Sequence, residues 1–91
     1  PKHQLADDAQ FYLAECFFKQ KDYENAILEY DKVGTLYPSS KWNRAAFLNL
    51  GFSFLNLGDK NSAKLFFEKV VSDFPGTDEA KIAKAKLATL K

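Results

Sequence analysis

The chain is predicted to be all-α, a short solenoid of antiparallel helical hairpins. Two observations lead there. Apolar residues recur at spacings of three and four along nearly the whole chain, the period of one helix face. The chain also repeats itself at a shift of 37 residues, with nine identities between positions 5–41 and 42–78. These are Ala9/Ala46, Leu13/Leu50, Phe17/Phe54, Asp22/Asp59, Ala26/Ala63, Leu28/Leu65, Lys32/Lys69, Val33/Val70 and Pro38/Pro75. Conservative pairs such as Ala14/Gly51, Tyr30/Phe67, Tyr37/Phe74 and Ser40/Thr77 fill in much of the rest, and Ala46/Ala83 with Leu50/Leu87 carry the same shift onward. No run alternates in the two-residue period of a strand.

Each unit reads as a helix A followed by a helix B. The first helix A spans about Gln4 to Gln20, with Leu5, Ala9, Leu13 and Phe17, then Ala6, Ala14 and Phe18, on one broad apolar face. Asp22 is a good N-cap for a helix B over about Tyr23 to Tyr37, striped by Ala26, Ile27, Tyr30, Val33 and Tyr37. Pro38 ends it, because the residue before a proline avoids the α region. Ser40 is expected to cap the second helix A, about Lys41 to Leu57. Gly58 then supplies a left-handed stop and Asp59 the next cap. Lys21 stands where Gly58 stands, a mismatch expected to cost about 1 kcal/mol if that backbone is left-handed. The second helix B covers about Lys60 to Phe74 and ends at Pro75. Thr77 caps a last helix, about 78–91, with Asp78 and Glu79 on its N-terminal dipole. The domain reading is therefore a repeat at about 4–38, a second at about 41–75 and a capping helix at about 78–91, all one domain.

Composition bounds the function. The chain has 91 residues, 46% hydrophobic and 27% charged, with a net charge of +1. That is an ordinary globular balance rather than a disordered tail. One Cys and one His make neither a disulfide framework nor a Cys/His zinc site. A near-neutral chain gives no reason to expect nucleic-acid binding, and no apolar run approaches the ~20 residues of a membrane span. With no Met and with Pro1 at its start, the chain reads as a segment of a longer protein.

The motif residues stand as Gln10-x2-Leu13-Ala14-x2-Phe17, Ala26-x3-Tyr30, Pro38, and again as Phe47-x2-Leu50-Gly51-x2-Phe54, Ala63-x3-Phe67, Pro75. This resembles the tetratricopeptide repeat, with its Leu-Gly, aromatic, central Ala, second aromatic and terminal Pro. The spacing from Leu to Ala is 13 and from Ala to Pro 12 in both copies. Gln10 departs from the pattern, where a bulky apolar residue is usual. The resemblance implies an α-solenoid, a right-handed superhelix whose A helices line a concave groove.

On that register the groove residues are Asp8, Phe11, Tyr12, Glu15, Phe18 and Lys19 from the first unit. The second contributes Ala45, Leu48, Asn49, Phe52, Leu55 and Asn56, and the last helix Ile82 and Lys86. Phe11, Phe18, Leu48, Phe52 and Leu55 make this face unusually apolar, a mark of a partner site. Two readings stay open: a groove that accepts a peptide on its aromatic rings, or rings hidden against the next helix A or a second copy. Related domains that clamp a chaperone's C-terminal carboxylate use Lys and Asn one turn apart on the first helix A. Those slots hold Phe11 and Glu15; Asn49 matches the clamp's second-unit Asn and Lys86 is a possible cation, but the missing first pair argues against such recognition.

Catalysis needs a base and a nucleophile or metal within reach. His3 lies near a terminus, and Cys16 reads as a small buried helical residue. Asp7/Asp8 and Asp78/Glu79 are explained by helix starts, and the four Gly form no phosphate loop. A non-enzyme with no cofactor is expected. Lys81, Lys84, Lys86 and Lys91, with Arg44 nearby, read first as a solvated face and second as a basic patch for an acidic partner.

The 37-residue period, the Tyr-Pro-x-Ser and Phe-Pro-x-Thr junctions and the Lys/Ala-rich final helix are similar to the C-terminal domain of the YbgF/CpoB family of bacterial periplasmic proteins. Ala45–Pro75 and Thr77-Asp-Glu-Ala-Lys-Ile-Ala-Lys carry most of that similarity. It implies a periplasmic location and a role in Tol-Pal-linked cell division and outer-membrane constriction. The partners it implies are the periplasmic part of TolA and a peptidoglycan synthase. The family's trimerising coiled coil is missing here. The alternatives are a scaffold for outer-membrane β-barrel assembly, a self-associating module that forms a homo-oligomer, and a cytoplasmic adaptor.

Overall fold

The computed structural model describes residues 2–90, with side chains from Ala6 to Leu90. Five helices follow one another: α1 Lys2–Lys19, α2 Tyr23–Leu36, α3 Asn43–Asn56, α4 Lys60–Asp73 and α5 Asp78–Thr89. No strand occurs among the described residues. Each helix packs on its neighbour in sequence, and α3 also reaches α5. The result is a helical solenoid of 42 × 29 × 18 Å. Its short dimension is about two helix diameters.

The helix ends follow the local chemistry. Asp22 accepts from the Asn25 amide at 3.3 Å, Asp59 from Ser62 at 3.1 Å, and Thr77 from Ala80 at 3.1 Å. The bond from Ser62 holds the Asp59 carboxyl below its ordinary range. Lys21 is left-handed at φ 63°, as Gly58 is at φ 85°. Both close the same motif: Asp22 N–H donates to Phe17 C=O, and Asp59 N–H to Phe54 C=O, each at 2.9 Å. This is the six-to-one bond of a Schellman end.

The start of α3 corrects the expected boundary. The helix begins at Asn43 rather than Lys41, and Ser40 does not cap it. Ser40 Oγ instead accepts from the Trp42 amide at 3.1 Å, a local turn two residues long. Asn43 fastens this turn, donating through Nδ2 to the carbonyls of Tyr37 at 3.1 Å and Pro38 at 2.9 Å. A polar side chain thus takes up the free carbonyls where α2 ends.

Two apolar clusters form the core. Phe11, Ala14, Ala26, Tyr30, Val33, Ala46 and Leu50 make the first; Leu48, Ala63, Phe67, Val70, Ala80, Ala83 and Leu90 make the second. The small residues permit the approach. A Cβ on Gly51 would lie 2.6 Å from Phe67 Cε1, so that helix crossing has no room for a methyl group.

The outer side of α1 corrects two further expectations. Ala9 is exposed and Leu13 is 45% exposed, whereas their equivalents Ala46 and Leu50 are 0% and 1% exposed. Cys16, expected to be buried, is exposed, although Ser53 at the same register is fully buried. The physical reason is shared: α2 covers this side of α3, and no described helix precedes α1 to cover it there. Leu5, His3 and Lys91 have side chains outside the described residues.

Candidate partner-binding face of the A helices

Helices α1, α3 and α5 supply the face expected to meet a partner. At its α1–α3 end, Phe11 stacks on Trp42 with ring centres 4.4 Å apart and planes 8° apart. The Trp42 indole donates to Asp8, and Lys41 lies 5.2 Å over the same ring. Tyr12 meets Trp42 edge-on at 5.6 Å and remains 55% exposed. The middle is polar. Tyr30, fully buried, donates its hydroxyl to Glu15. Asn49 donates through Nδ2 to Glu15 at 2.9 Å and to the Tyr30 oxygen at 3.1 Å. At the other end, Phe52 packs edge-on against the buried Phe67 at 5.1 Å, and Lys86 sits 5.9 Å over Phe52. Leu55 leans on the second cluster and Ile82 is 46% exposed.

The expected groove residues therefore divide. Phe11 and Leu48 are 5% and 7% exposed, which corrects their reading as apolar contact surface. They floor the face, because Trp42 covers one and the α3–α5 crossing the other. Phe18 is half-buried, edge-on to Tyr23 and Tyr30. Asp8, Glu15 and Asn49 are engaged within the fold. Asn49 in particular is committed to Glu15 and Tyr30, so it is not a free analogue of a carboxylate clamp. Ala45 is half-buried, and Asn56 is exposed but donates to its own Phe52 carbonyl at 2.8 Å. Tyr12, Lys19 and Ile82, with the half-buried Phe18, Phe52, Leu55 and Lys86, are left as the accessible set. Trp42 is the residue that sequence reading missed. The single Trp, at the start of the expected second helix A, was the available signal.

Arg44 forms an ion pair with Glu79 at 3.4 Å, from α3 to α5. It is drawn toward the acidic start of α5, away from a basic patch with Lys81 and Lys84, both of which are exposed. Asp7, Asp8, Ser39, Ser40 and Lys41 line an open cleft of about 200 Å³ beside the α2–α3 turn. Among the described residues no three His, Cys, Asp or Glu side chains converge to hold a metal ion. No described helix is long and apolar enough to cross a membrane.

Sequence comparison agrees with this geometry. The family model described as tetratricopeptide repeat matches residues 8–40 and again residues 45–77. The chain belongs to the tetratricopeptide repeat family. No curated protein sequence matches it. The two matched segments are 37 residues apart, the period of the internal repeat, and each takes in most of one helix A and all of one helix B. Tetratricopeptide repeats generally mediate protein–protein interaction and are typically non-catalytic.

Proposed function

We propose that this tetratricopeptide domain is a non-catalytic docking module that grips a peptide segment of a partner protein across α1, α3 and α5. The observation that carries the reading is the pair of accessible apolar ends, Tyr12 at 55% and Ile82 at 46% exposure. Between them the polar centre satisfies its own hydrogen bonds. A partner thus gains most by burying apolar side chains at the two ends, where aromatic anchors contribute most to binding. In this reading the domain consists of repeats at about 4–38 and 41–75, closed by the helix at about 78–91.

The cellular setting rests on the resemblance carried by Ala45–Pro75 and the Lys/Ala-rich α5. It favours a periplasmic module of the bacterial envelope that acts in Tol-Pal-linked division, with the periplasmic part of TolA and a peptidoglycan synthase as partners. The test is a pull-down with the periplasmic TolA fragment, comparing the wild type with Tyr12→Ala and Ile82→Asp. Both positions are exposed, so circular dichroism should show the fold unchanged. Loss of capture in both supports the reading. Full capture by both removes this face as the binding surface, and no capture by the wild type removes TolA as the partner.

A further inference from the structure

We propose that the cleft between α1 and the α2–α3 turn is a guanidinium site, which takes an arginine side chain from a partner protein. Asp7, Asp8, Ser39, Ser40 and Lys41 line this cleft of about 200 Å³. Asp7 is 9% exposed, and among the described residues its Oδ1 is buried with no hydrogen-bond partner. Neither Asp7 nor Asp8 forms an ion pair among the described residues. A buried carboxylate oxygen without a donor destabilises the fold, so a cation that reaches Asp7 removes a cost as well as adding a bond. The χ2 torsion of an Asp is soft, so Asp7 can present either oxygen to an occupant.

The cleft lies at a junction inside the fold. Asp7 shares the inward side of α1 with the buried Phe11 and Ala14. It stands about 120–180° round the helix from Ala9, Leu13 and Cys16. The opposite wall is the α2–α3 turn, whose path Asn43 fixes through the carbonyls of Tyr37 and Pro38. The repeat register shows what completes such a junction. Asp7 corresponds to Arg44, and Trp42 to Glu79. Arg44 and Glu79 pair at 3.4 Å between α3 and α5. Between α1 and α3 the first position is the acid Asp7 and the second is Trp42, so the fold supplies one half of an ion pair there and no guanidinium to match it.

The lining selects this cation. Asp8 accepts from the Trp42 indole and Ser40 Oγ from the Trp42 amide, and both keep acceptor capacity. An occupant thus meets acceptors on two carboxylates and two hydroxyls. A guanidinium offers five N–H donors in one plane and no acceptor, holds a carboxylate through two bonds, and sheds water more readily than an ammonium. A calcium ion fits less well, since it takes roughly six to eight oxygens. Among the described residues no three Asp, Glu, His or Cys side chains converge to hold one. Lys41 lines the cleft, but its ammonium lies 5.2 Å over the Trp42 ring rather than on Asp7. Charge also guides the approach: the first 40 positions carry seven acidic and four basic residues, a field that steers a basic segment to this half. The arginine belongs to a protein because tetratricopeptide repeats generally mediate protein–protein interaction.

The probe is N-acetyl-arginine amide, titrated into the isotope-labelled full chain at constant ionic strength and followed by NMR. Amide shifts should saturate and cluster at Asp7, Asp8, Ser39 and Ser40. The indole N–H of Trp42, the single Trp, should move with them because it donates to Asp8. The citrulline analogue, which keeps the shape and loses the charge, should bind about tenfold more weakly or less, and the lysine analogue several-fold more weakly. Asp7→Asn should weaken arginine binding by about tenfold or more. Ser39→Arg, at an exposed position on the rim, gives the cleft a guanidinium of its own and should abolish binding. If Asp7→Asn melts early, Ser39→Arg decides. The proposal is overturned by shifts that do not saturate or that centre elsewhere, by equal binding of the citrulline or lysine analogue, or by binding that survives both substitutions. Saturation of the same amides by calcium chloride at lower concentration would also overturn it, making a metal ion the occupant. Neither Tyr12 nor Ile82 lines this cleft, so the A-helix-face reading and this one can fail separately.

Discussion

The hydroxyl of Tyr30, on α2, donates to the carboxylate of Glu15, on α1, at the centre of the A-helix face. Asn49 of α3 donates to both partners, so a single polar knot joins three helices and both repeats. Removing the hydroxyl leaves Glu15 with one donor fewer in a half-buried site. Tyr30→Phe should therefore lower stability at neutral pH by about 1–2 kcal/mol, measured by urea denaturation. An unchanged midpoint would mean that water replaces the bond without loss.

The same contact gives the fold an alkaline limit. Burial first, then the hydrogen bond and negative charge of Glu15, push the Tyr30 phenol well above its ordinary value. The unfolded chain releases that proton near pH 10 and the native chain keeps it, so above that pH the native state binds more protons. Stability then falls as pH rises, by up to about 1.4 kcal/mol per pH unit from this group. Other tyrosines and lysines titrate in the same range, so the comparison is between wild type and Tyr30→Phe. Their melting temperatures should converge between about pH 9 and pH 11; parallel curves would exonerate Tyr30.

Lys21 occupies a left-handed site that its counterpart fills with Gly58. Lys21→Gly relieves the Cβ–carbonyl contact, offset in part by the larger unfolded-state entropy of glycine, and should stabilise by about 0.5–1 kcal/mol. Gly58→Ala, with φ 85° at the matching turn, should shift the melting temperature the opposite way. Two shifts of the same sign would contradict this account.

Gly51 meets Phe67 with no space for a side chain. Gly51→Ala should destabilise by about 1–3 kcal/mol. Trimming the opposing ring with Phe67→Leu should make the double variant less destabilised than the sum of the single ones, as contacting residues do in a double-mutant cycle. Strict additivity would place the strain elsewhere.

The last helix closes the second cluster through Ala83, Leu87 and Leu90. Leu87→Asp puts a carboxylate against that cluster at a cost of about 2 kcal/mol or more. In a domain of this size that lowers the melting temperature by roughly 8–16 °C. An unaltered melting curve would show that α5 does not stabilise the array.

The helices, their order and their partners were legible in the sequence because they depend on local signals repeated twice. Asp22 and Asp59 begin helices through their own side chains, Pro38 and Pro75 follow the helix ends, and Ala14/Gly51 with Tyr30/Phe67 mark the tight crossings. Ser40 resembled a cap, but Ser hydroxyls also bond two residues on, and only the path of the turn chose between the two. On the A-helix face, the sequence placed Phe11, Glu15 and Asn49 on one side without saying whether that side was open. Trp42 comes from the neighbouring repeat to cover Phe11, and Tyr30 reaches through from α2 to engage Glu15 and Asn49. The mirror case is Leu13, identical in type and register to Leu50 yet exposed. Pattern determines which residues share a face, because helix geometry is local. Whether that face is covered depends on the neighbour packed against it, and that was decided only by tertiary structure.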